Sequence, residues 1–264
     1  MQHRGRSRGN GATSPQYGRM LMTRFVALAA AGLLAACASV PTDPIARTAY
    51  EEANDPLEPV NRAVFAFNIK LDEYALEPIA RAYRKALNET ARDGVRNFLH
   101  NLRAPITFAN DLLQGEFDRA AQTSWDFVMN TTVGFLGFAD VTGGWEPHDE
   151  DLGQTLAVWG VGEGPYLVLP FFGPSNVRDT AGVLGDRYLD PTTYHLDSAE
   201  GTEVLAGRTV TDAVDTRART LEEFNEIKRT SFDFYVTARS LYRQARRNQI
   251  RNGAPAPLDD VTFN

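Results

Sequence analysis

The chain has 264 residues, of which 43% are hydrophobic and 23% are charged, and its formal net charge is −7 at pH 7. This composition is typical of a folded protein and excludes a chain that is disordered throughout. Residues 1–36 contain five arginines and no acid, so their removal would leave 22 basic against 34 acidic side chains, a net charge of −12. Such an acidic body argues against nucleic acid as a partner and against broad adhesion to anionic lipid.

The N-terminal segment has the pattern of an export signal. Its arginines are followed by an apolar run of 14 residues, FVALAAAGLLAACA, over residues 25–38. A helix that spans a bilayer needs ~20 residues, whereas this length suits the apolar region of a secretory signal. We predict a signal peptide over residues 1–36 and leave open whether translation starts at Met1, Met20 or Met22.

The signal ends in Leu34-Ala35-Ala36-Cys37, which resembles a bacterial lipobox. Cys37 is the only cysteine in the chain, so it cannot form an intramolecular disulfide. We predict that its thiol carries a diacylglycerol, and several acyl chains at ~0.8 kcal/mol per buried CH₂ would anchor the protein permanently. Ala38 in place of an aspartate favours sorting to the outer membrane. The alternative is a signal that is cleaved nearby, with Cys37 incidental.

The first part of the mature chain is predicted to be a tether followed by helices. Residues 37–58 are rich in Pro, Thr and acids, as expected of a lipidated tether, and a single helical domain is predicted over residues 59–247. Apolar residues recur at helical spacing from Val60 to Tyr74, and Phe65 widens the apolar face.

Four helix boundaries can be predicted in the region that follows. Pro78 is expected to open a short helix, and Asn88 to cap the N-terminus of the next. Pro105 is expected to stop that helix and to start another, which ends at Gly115. A longer helix is predicted from Phe117 to Thr131.

Two nearly uncharged stretches lie in the middle of the chain. They cover residues 127–139 and 152–177, and they flank the polar segment GGWEPHDED. In the second stretch three prolines and several glycines disfavour both a helix and a regular central strand, and we predict no hairpin. Irregular apolar backbone at membrane depth must pack against protein or line a wet cavity. A loop buried in a globular core would have the same sequence.

The C-terminal part is predicted to be one long helix followed by a tail. Thr220 and Glu223 form the pattern of a capping box, and apolar residues recur at helical spacing up to Ala245. Residues 248–264 are predicted to be disordered.

Candidate catalytic groups are few. The chain has no GxxxxGK[ST], HExxH or GxSxG motif, and three histidines remain after signal removal, namely His100, His148 and His195. His148 lies in WEPHDED, whose carboxylates could hold a divalent metal, but the spacing matches no established ligand motif and a solvated acidic loop is the alternative. We predict no catalytic residue, no metal and no cofactor.

Three segments resemble the MlaA/VacJ family of outer-membrane lipoproteins. They are DPLEPVNRAVFAFN at 55–68, NFLHNLRAPITFANDLLQGEF at 97–117 and GQTLAVWGVGEGPYLVLPFFGPSNVRD at 153–179. The resemblance implies a mainly α, ring-like, membrane-embedded lipoprotein with irregular Gly/Pro-rich apolar loops and a central amphipathic channel. It places the protein on the periplasmic-leaflet side of the outer membrane, lipid-anchored at Cys37.

The resemblance also implies a function and partners. Family members associate with trimeric porins, passively remove mislocalised phospholipid from the outer leaflet through the channel, and pass it to a soluble periplasmic lipid carrier, which maintains lipid asymmetry. The residues that match the family motifs and would form the channel or its gate are Phe65, Phe67, Asn68, Gly164, Pro165, Tyr166, Leu169, Pro170, Phe171, Gly173, Pro174, Arg178 and Asp179. Arg178 and Asp179 would either pair with each other or meet the lipid head group.

Two other functions remain open from the sequence. The protein could be a structural lipoprotein that only scaffolds porins, or a phospholipid hydrolase that depends on His148.

Overall fold

The computed structural model describes residues 42–143, 148–191 and 198–255. Within these ranges the chain is mainly α-helical, which confirms the predicted class. The elements in chain order are α1 (Pro44–Ala53), α2 (Glu58–Leu71), a π-helix (Asp72–Leu76), α3 (Glu77–Ala86), α4 (Glu89–Gln114), α5 (Phe117–Thr132), α6 (Leu152–Val158), β1 (Tyr166–Leu169), β2 (Gly173–Asn176), α7 (Val177–Leu189), α8 (Ser198–Arg219), α9 (Leu221–Thr230) and α10 (Phe234–Ile250).

Several sequence predictions lie outside the described residues. They are the signal peptide, the lipid anchor at Cys37, His195, and the tail from residue 256 onward.

The folded body begins earlier than the predicted end of the tether at residue 58. Residues 44–53 form α1, and Asp55 is almost completely buried. The Asp55 carboxylate accepts hydrogen bonds from the Tyr235 hydroxyl and from Arg239 Nη1, the latter at 2.7 Å. Because both partners lie on α10, the first residues after α1 are fixed to the C-terminal helix.

The helices α2 and α3 are joined through the π-helix without a break. Its first residue, Asp72, is buried and accepts hydrogen bonds from Arg217 Nε at 2.7 Å and Nη2 at 3.0 Å. This two-point pair ties the π-helix to α8, a helix that the sequence analysis did not predict.

Pro105 does not end a helix, so the predicted boundary is wrong. The helix α4 runs through it from Glu89 to Gln114. The helix α5 bonds to both sides of the proline, since Asn101 Nδ2 donates to Thr131 Oγ1 at 2.9 Å and Thr123 Oγ1 donates to Asp111 Oδ2 at 2.8 Å. The packing of α5 along both halves of α4 stabilises the helix by more than the missing backbone N–H of Pro105 costs. The other boundaries of α4 are as predicted, with Asn88 capping its N-terminus.

The predicted irregular stretch contains a β-hairpin, so the expectation of no hairpin is also wrong. The strands β1 and β2 pair antiparallel, with Val168 opposite Pro174 and Leu169 opposite Gly173. A proline fits this sheet because the two strands are both edges, and a position that donates no ladder bond needs no N–H. Pro170 lies in the turn and Pro165 precedes β1, where neither interrupts the pairing.

The predicted C-terminal helix is two helices. Residues 231–233 separate α9 from α10, and the Asp233 carboxylate caps α10 by accepting from the Val236 amide at 3.2 Å. Thr220 does not form the predicted capping box, because its hydroxyl instead donates to the Thr216 carbonyl at 2.9 Å. The break between α9 and α10 therefore follows from a polar N-cap, Asp233, that interrupts the apolar repeat.

The hydrophobic core is small and lies where the hairpin meets α2 and α10. Tyr166, Val168 and Tyr235 are buried in it, with Val64 and Phe65 packed against them. The Phe65 ring lies 5.5 Å from the Tyr235 ring in an edge-on arrangement. Phe65 therefore packs between α2 and α10 and stabilises the base of the hairpin.

Candidate functional site

Three asparagines at intervals of seven residues bond to the backbone of the hairpin and its approach. The central one, Asn61, is buried on α2. Its Nδ2 donates to the Tyr166 carbonyl at 3.0 Å, and its Oδ1 accepts from the Val168 amide at 2.9 Å. One carboxamide thus takes the place of a third strand and satisfies the edge of the sheet.

The two flanking asparagines make equivalent contacts. Asn68 Nδ2 donates to the Leu169 carbonyl at 2.9 Å, and its Oδ1 accepts from the Phe171 amide at 2.9 Å. Asn54 Nδ2 donates to the Gly164 carbonyl at 2.6 Å, and its own carbonyl accepts from the first amide of β1 at 2.8 Å. We call this set the asparagine ladder.

The spacing of Asn61 and Asn68 follows from the geometry of α2 and β1. Seven helical residues advance ~10.5 Å and return to the same face of the helix. Three strand residues advance ~10 Å, which is the interval between the carbonyls that Asn61 and Asn68 hold. The helix and the strand therefore run in register, and the position of the hairpin is fixed by α2.

The tip of the hairpin exposes two aromatic side chains. Phe171 is 71% and Phe172 is 67% exposed, and Phe171 has a left-handed φ of 70°. The Phe67 ring on α2 meets the Phe171 ring edge-on at 5.6 Å, while Phe67 itself remains 48% exposed. The predicted gate residues Phe67, Asn68, Pro170 and Phe171 thus lie together at one end of the hairpin.

The other residues that the sequence proposed for the channel lie deeper. Tyr166 is buried in the core, and burial raises the pKa of its hydroxyl well above its usual range. Gly164 has a φ of 65°, and a Cβ there would lie 3.1 Å from the Val177 side chain. The remaining members, Pro165, Leu169, Gly173 and Pro174, form the hairpin and its approach.

Arg178 and Asp179 are buried and belong to a charged network. Arg178 Nε donates to Asp179 Oδ1 at 3.0 Å. Arg246 Nε donates to Asp179 Oδ2 at 2.9 Å, and the Tyr242 hydroxyl donates to the same oxygen. Burial, followed by this bond to Asp179, raises the pKa of Tyr242 far above its usual range. The two residues pair structurally and join α7 to α10.

A second exposed apolar segment, residues 133–138, follows α5. Phe135 is 77% exposed, and Phe135 and Leu136 both have left-handed φ angles, of 53° and 60°. Its backbone is nevertheless bonded, because the Gly137 amide donates to the Asn130 carbonyl at 2.7 Å and the Leu136 amide donates to the Thr131 carbonyl at 3.1 Å. We call residues 133–138 the apolar loop.

Next to the apolar loop lies a polar cavity of about 260 Å³ between α4 and α5. The Phe98 ring of α4 stacks on the Phe138 ring of the loop at 4.6 Å, which fixes the loop beside the cavity. Most of the lining side chains are polar or charged, and they are Asp93, Arg96, Asn97, His100, Asn101, Ala104, Thr107, Gln122, Thr123, Asp126, Phe127, Asn130, Asp140, Thr142, His148 and Asp149. A cavity lined mainly by polar residue types, although carbon atoms form the larger part of its surface, therefore lies beside exposed apolar side chains.

His148 is one of the residues that line this polar cavity. Its Nε2 lies 3.1 Å from Asp111 Oδ1 and 3.4 Å from Thr123 Oγ1. The Thr123 hydroxyl donates to Asp111, so it is not aligned with the imidazole as a nucleophile with its base would be. Across the described ranges, no cluster of three or more His, Cys, Asp or Glu side chains is arranged to hold a metal.

The carboxylates that follow His148 have partners of their own. Asp149 lies 3.7 Å from Arg103 Nε and 3.6 Å from His100 Nδ1. Burial alone would raise the pKa of Asp149, but the His100 hydrogen bond and the charge of Arg103 lower it to about 2. The pKa of Glu150 is raised by burial, against the opposing bond from Gln114.

Sequence reasoning missed two features of this site. The asparagine ladder is visible as Asn54, Asn61 and Asn68 at heptad spacing, but only Asn68 was singled out. The sequence signal for the polar cavity is a stripe of polar residues on α4 at helical spacing, which includes Asp93, Asn97 and His100.

No helix in the described ranges combines the length and the apolar character that a bilayer span requires.

Comparisons with known proteins identify the family of this chain. The family model for the MlaA lipoprotein matches residues 53–249. The Intermembrane phospholipid transport system lipoprotein MlaA of Escherichia coli (strain K12) is 36% identical over 229 residues, which are 84% of this chain and 85% of that protein. An uncharacterized protein of Rickettsia bellii is 36% identical over 203 residues, which are 76% of this chain and 78% of the relative.

A solved structure also matches. It is described as "Structural basis for maintenance of bacterial outer membrane lipid asymmetry", is 35% identical, and superposes with a TM-score of 0.65 over 74% of this chain and 98% of that chain. The matched family segment includes the asparagine ladder, the hairpin, the apolar loop and the polar cavity. The chain therefore belongs to the MlaA lipoprotein family.

Proposed function

We propose that this protein is an outer-membrane lipoprotein that passively removes mislocalised phospholipid from the outer leaflet and passes it to a soluble periplasmic carrier. Export through the signal at residues 1–36 and a lipid anchor at Cys37 would place it on the periplasmic-leaflet side. The name of the Escherichia coli relative, which refers to intermembrane phospholipid transport, supports this assignment. So does the matching structure, whose description concerns outer-membrane lipid asymmetry.

The observation that carries the proposal is the contact between the apolar loop and the polar cavity. Val133, Phe135 and Leu136 are exposed on one side of this contact, and charged side chains line the other. A phospholipid needs both environments, because leaving a charged group in hydrocarbon costs at least ~2.5–3.5 kcal/mol. We propose that acyl chains follow the apolar side while the head group follows the polar side, along an amphipathic channel within a ring of helices.

The exposed apolar side chains also suggest how the body sits in lipid. Besides the apolar loop, they include Trp159 after α6 and Phe171 and Phe172 at the hairpin tip. Contiguous exposed apolar patches mark protein or membrane contacts. We propose that these tips enter the periplasmic leaflet, that the hairpin tip with Phe67 acts as a gate, and that trimeric porins hold the ring in place.

A strain that lacks the gene tests the proposal. Surface-exposed phospholipid is expected to accumulate, and the wild-type gene is expected to reverse the accumulation, whereas Cys37→Ser is expected to fail because the anchor is lost. Unchanged surface phospholipid in the deletion strain would contradict a transport role and leave a porin scaffold as the explanation.

The same strains test whether the step is non-covalent. Lipid extracts should contain no fatty acid or lysophospholipid that depends on the protein. Release of a lipid fragment that disappears in His148→Ala would instead identify a hydrolase.

A further inference from the structure

The polar cavity differs from an ordinary solvated groove in the way its charges are paired. Three of the five Asp and Arg side chains that line the cavity already have an ion pair or hydrogen bonds that balance their charge. Asp93 receives Arg219 Nη1 at 3.0 Å, and Asp149 lies beside Arg103. Asp140 accepts from the Thr142 hydroxyl at 2.9 Å and from two backbone amides, and although its burial acts in the opposite direction, these bonds lower its pKa.

The two charges that remain have opposite signs and stand on opposite walls. Arg96, on α4, has no hydrogen bond or ion pair among the described residues. Asp126, on α5, accepts only one long hydrogen bond, from Gln122 Nε2 at 3.5 Å, and its Oδ1 is buried without a partner. Neither side chain has a charged partner among the described residues, so a ligand that carries both charges could pair with both.

The size of the cavity limits what that ligand can be. About 260 Å³ lies just below the ~300–1,000 Å³ that is usual for small-molecule sites. A lipid head group fits in this volume, whereas acyl chains do not. Acyl chains attached to such a head group would emerge beside the apolar loop, whose Phe138 packs on α4 next to the cavity.

We infer that the polar cavity is a seat for a zwitterionic head group that carries a phosphodiester and a primary amine, with the phosphate at Arg96 and the ammonium at Asp126. This inference rests on the proposed function and adds a preference to it. A guanidinium binds phosphate through charge-assisted hydrogen bonds, and an ammonium satisfies a carboxylate in the same way. A head group with only the negative charge would leave Asp126 unsatisfied.

The test compares two soluble head-group probes on the purified lipidated protein. Glycerophosphoethanolamine carries both charges, while glycerophosphoglycerol carries only the anion. Calorimetry is expected to give an affinity about tenfold higher for the ethanolamine probe, the size of one charge-assisted hydrogen bond. Asp126→Asn should abolish this difference, and Arg96→Gln should weaken both probes. Equal affinity for the two probes in the wild type would overturn the inference.

A matched control separates a local effect from a general change of charge. Asp118 lies on the same helix α5, is exposed, and does not line the cavity. Asp118→Asn should preserve the tenfold preference. If Asp126→Asn failed to fold, Arg96→Gln would still test the inference. Undiminished binding of both probes to Arg96→Gln would contradict it.

The outcome is separable from that of the proposed function. If the probes bind equally but the gene still clears surface phospholipid, transport stands and the head-group seat is wrong. If the gene does not clear surface phospholipid, the proposed function itself fails, whatever the probes show.

Discussion

The hairpin and the apolar loop expose similar side chains but are held by different means. Both present phenylalanines to the outside, at Phe171 and Phe172 in the hairpin and at Phe135 in the loop. The hairpin is bonded from outside by the asparagine ladder, whereas the apolar loop is closed by its own backbone hydrogen bonds and by left-handed residues. The hairpin position therefore depends on α2, and the loop conformation depends on a few local angles.

Asn61→Ala should have the largest effect, because it acts on the support of the hairpin. It leaves the Tyr166 carbonyl and the Val168 amide buried without partners. Each unsatisfied group costs ~1–3 kcal/mol, so we expect the free energy of unfolding to fall by ~2–4 kcal/mol in urea titration.

Asn68→Ala is the matched control for this prediction. It removes the same kind of contact, a carboxamide bonded to the hairpin backbone, but at the end of the hairpin, where Phe171 is exposed. We expect a loss of ~1 kcal/mol, since water can replace the lost partner. Equal losses for the two variants would mean that the asparagine ladder does not support the hairpin from its buried centre.

Gly137→Ala tests the apolar loop by the same measurement. Gly137 has a φ of 92°, and a Cβ would lie 2.5 Å from the Cβ of Asn101. A left-handed alanine costs ~1–2 kcal/mol. The contact with Asn101 should add ~1 kcal/mol.

Gly115→Ala separates these two contributions. Gly115 has a similar φ of 81°, but nothing lies within 4 Å of its added Cβ. It should therefore show the strain alone, and a loss as large as that of Gly137→Ala would rule out the close approach to Asn101 as a cause.

The smallest expected effect is that of acid, which should loosen residues 140–143, directly after the apolar loop, and leave the hairpin unchanged. Burial by itself would raise the pKa of Asp140, but bonds from Thr142 and Gly143 lower it below its usual value near 4. A lowered folded-state pKa stabilises above the unfolded-state pKa, and this stabilisation is lost as the pH falls through the lowered value. The carboxamides of the asparagine ladder do not titrate.

Amide exchange between pH 5 and pH 3 measures this difference. Protection of Thr142 and Gly143, after correction for intrinsic rates, should fall, while that of Val168 should not. Asp140→Asn should remove the pH dependence at the loop. Parallel loss of protection in the hairpin would contradict the distinction between the two supports.

The sequence was most informative where a local pattern decides the structure. The Asn88 cap and the helix from Phe117 follow from capping and periodicity, and the structure contains both. Pro105 was misjudged because packing of α5 along both halves of α4 is a tertiary effect that a local rule does not include. The hairpin was missed because its strands are only four residues long and are completed by side chains from α2.

The candidate site was predictable only in part. The family motifs pointed to Phe67, Asn68 and Phe171, which do lie together at the hairpin tip. The polar cavity was not predicted, because its walls come from two helices and a loop whose polar residues each resemble an ordinary surface. The opposite charges of Arg96 and Asp126 acquire meaning only when α4 and α5 face each other.

Site-specific photocrosslinking to phospholipid in cells tests most directly whether polar and apolar walls guide one lipid together. A photoreactive residue at Phe135, on the apolar loop, should capture lipid through its acyl chains, and one at Asn97, in the polar cavity, should capture the head group of the same lipid class. Capture at Phe135 alone would show that the loop only inserts into the bilayer, and absence of capture at both positions would contradict the account.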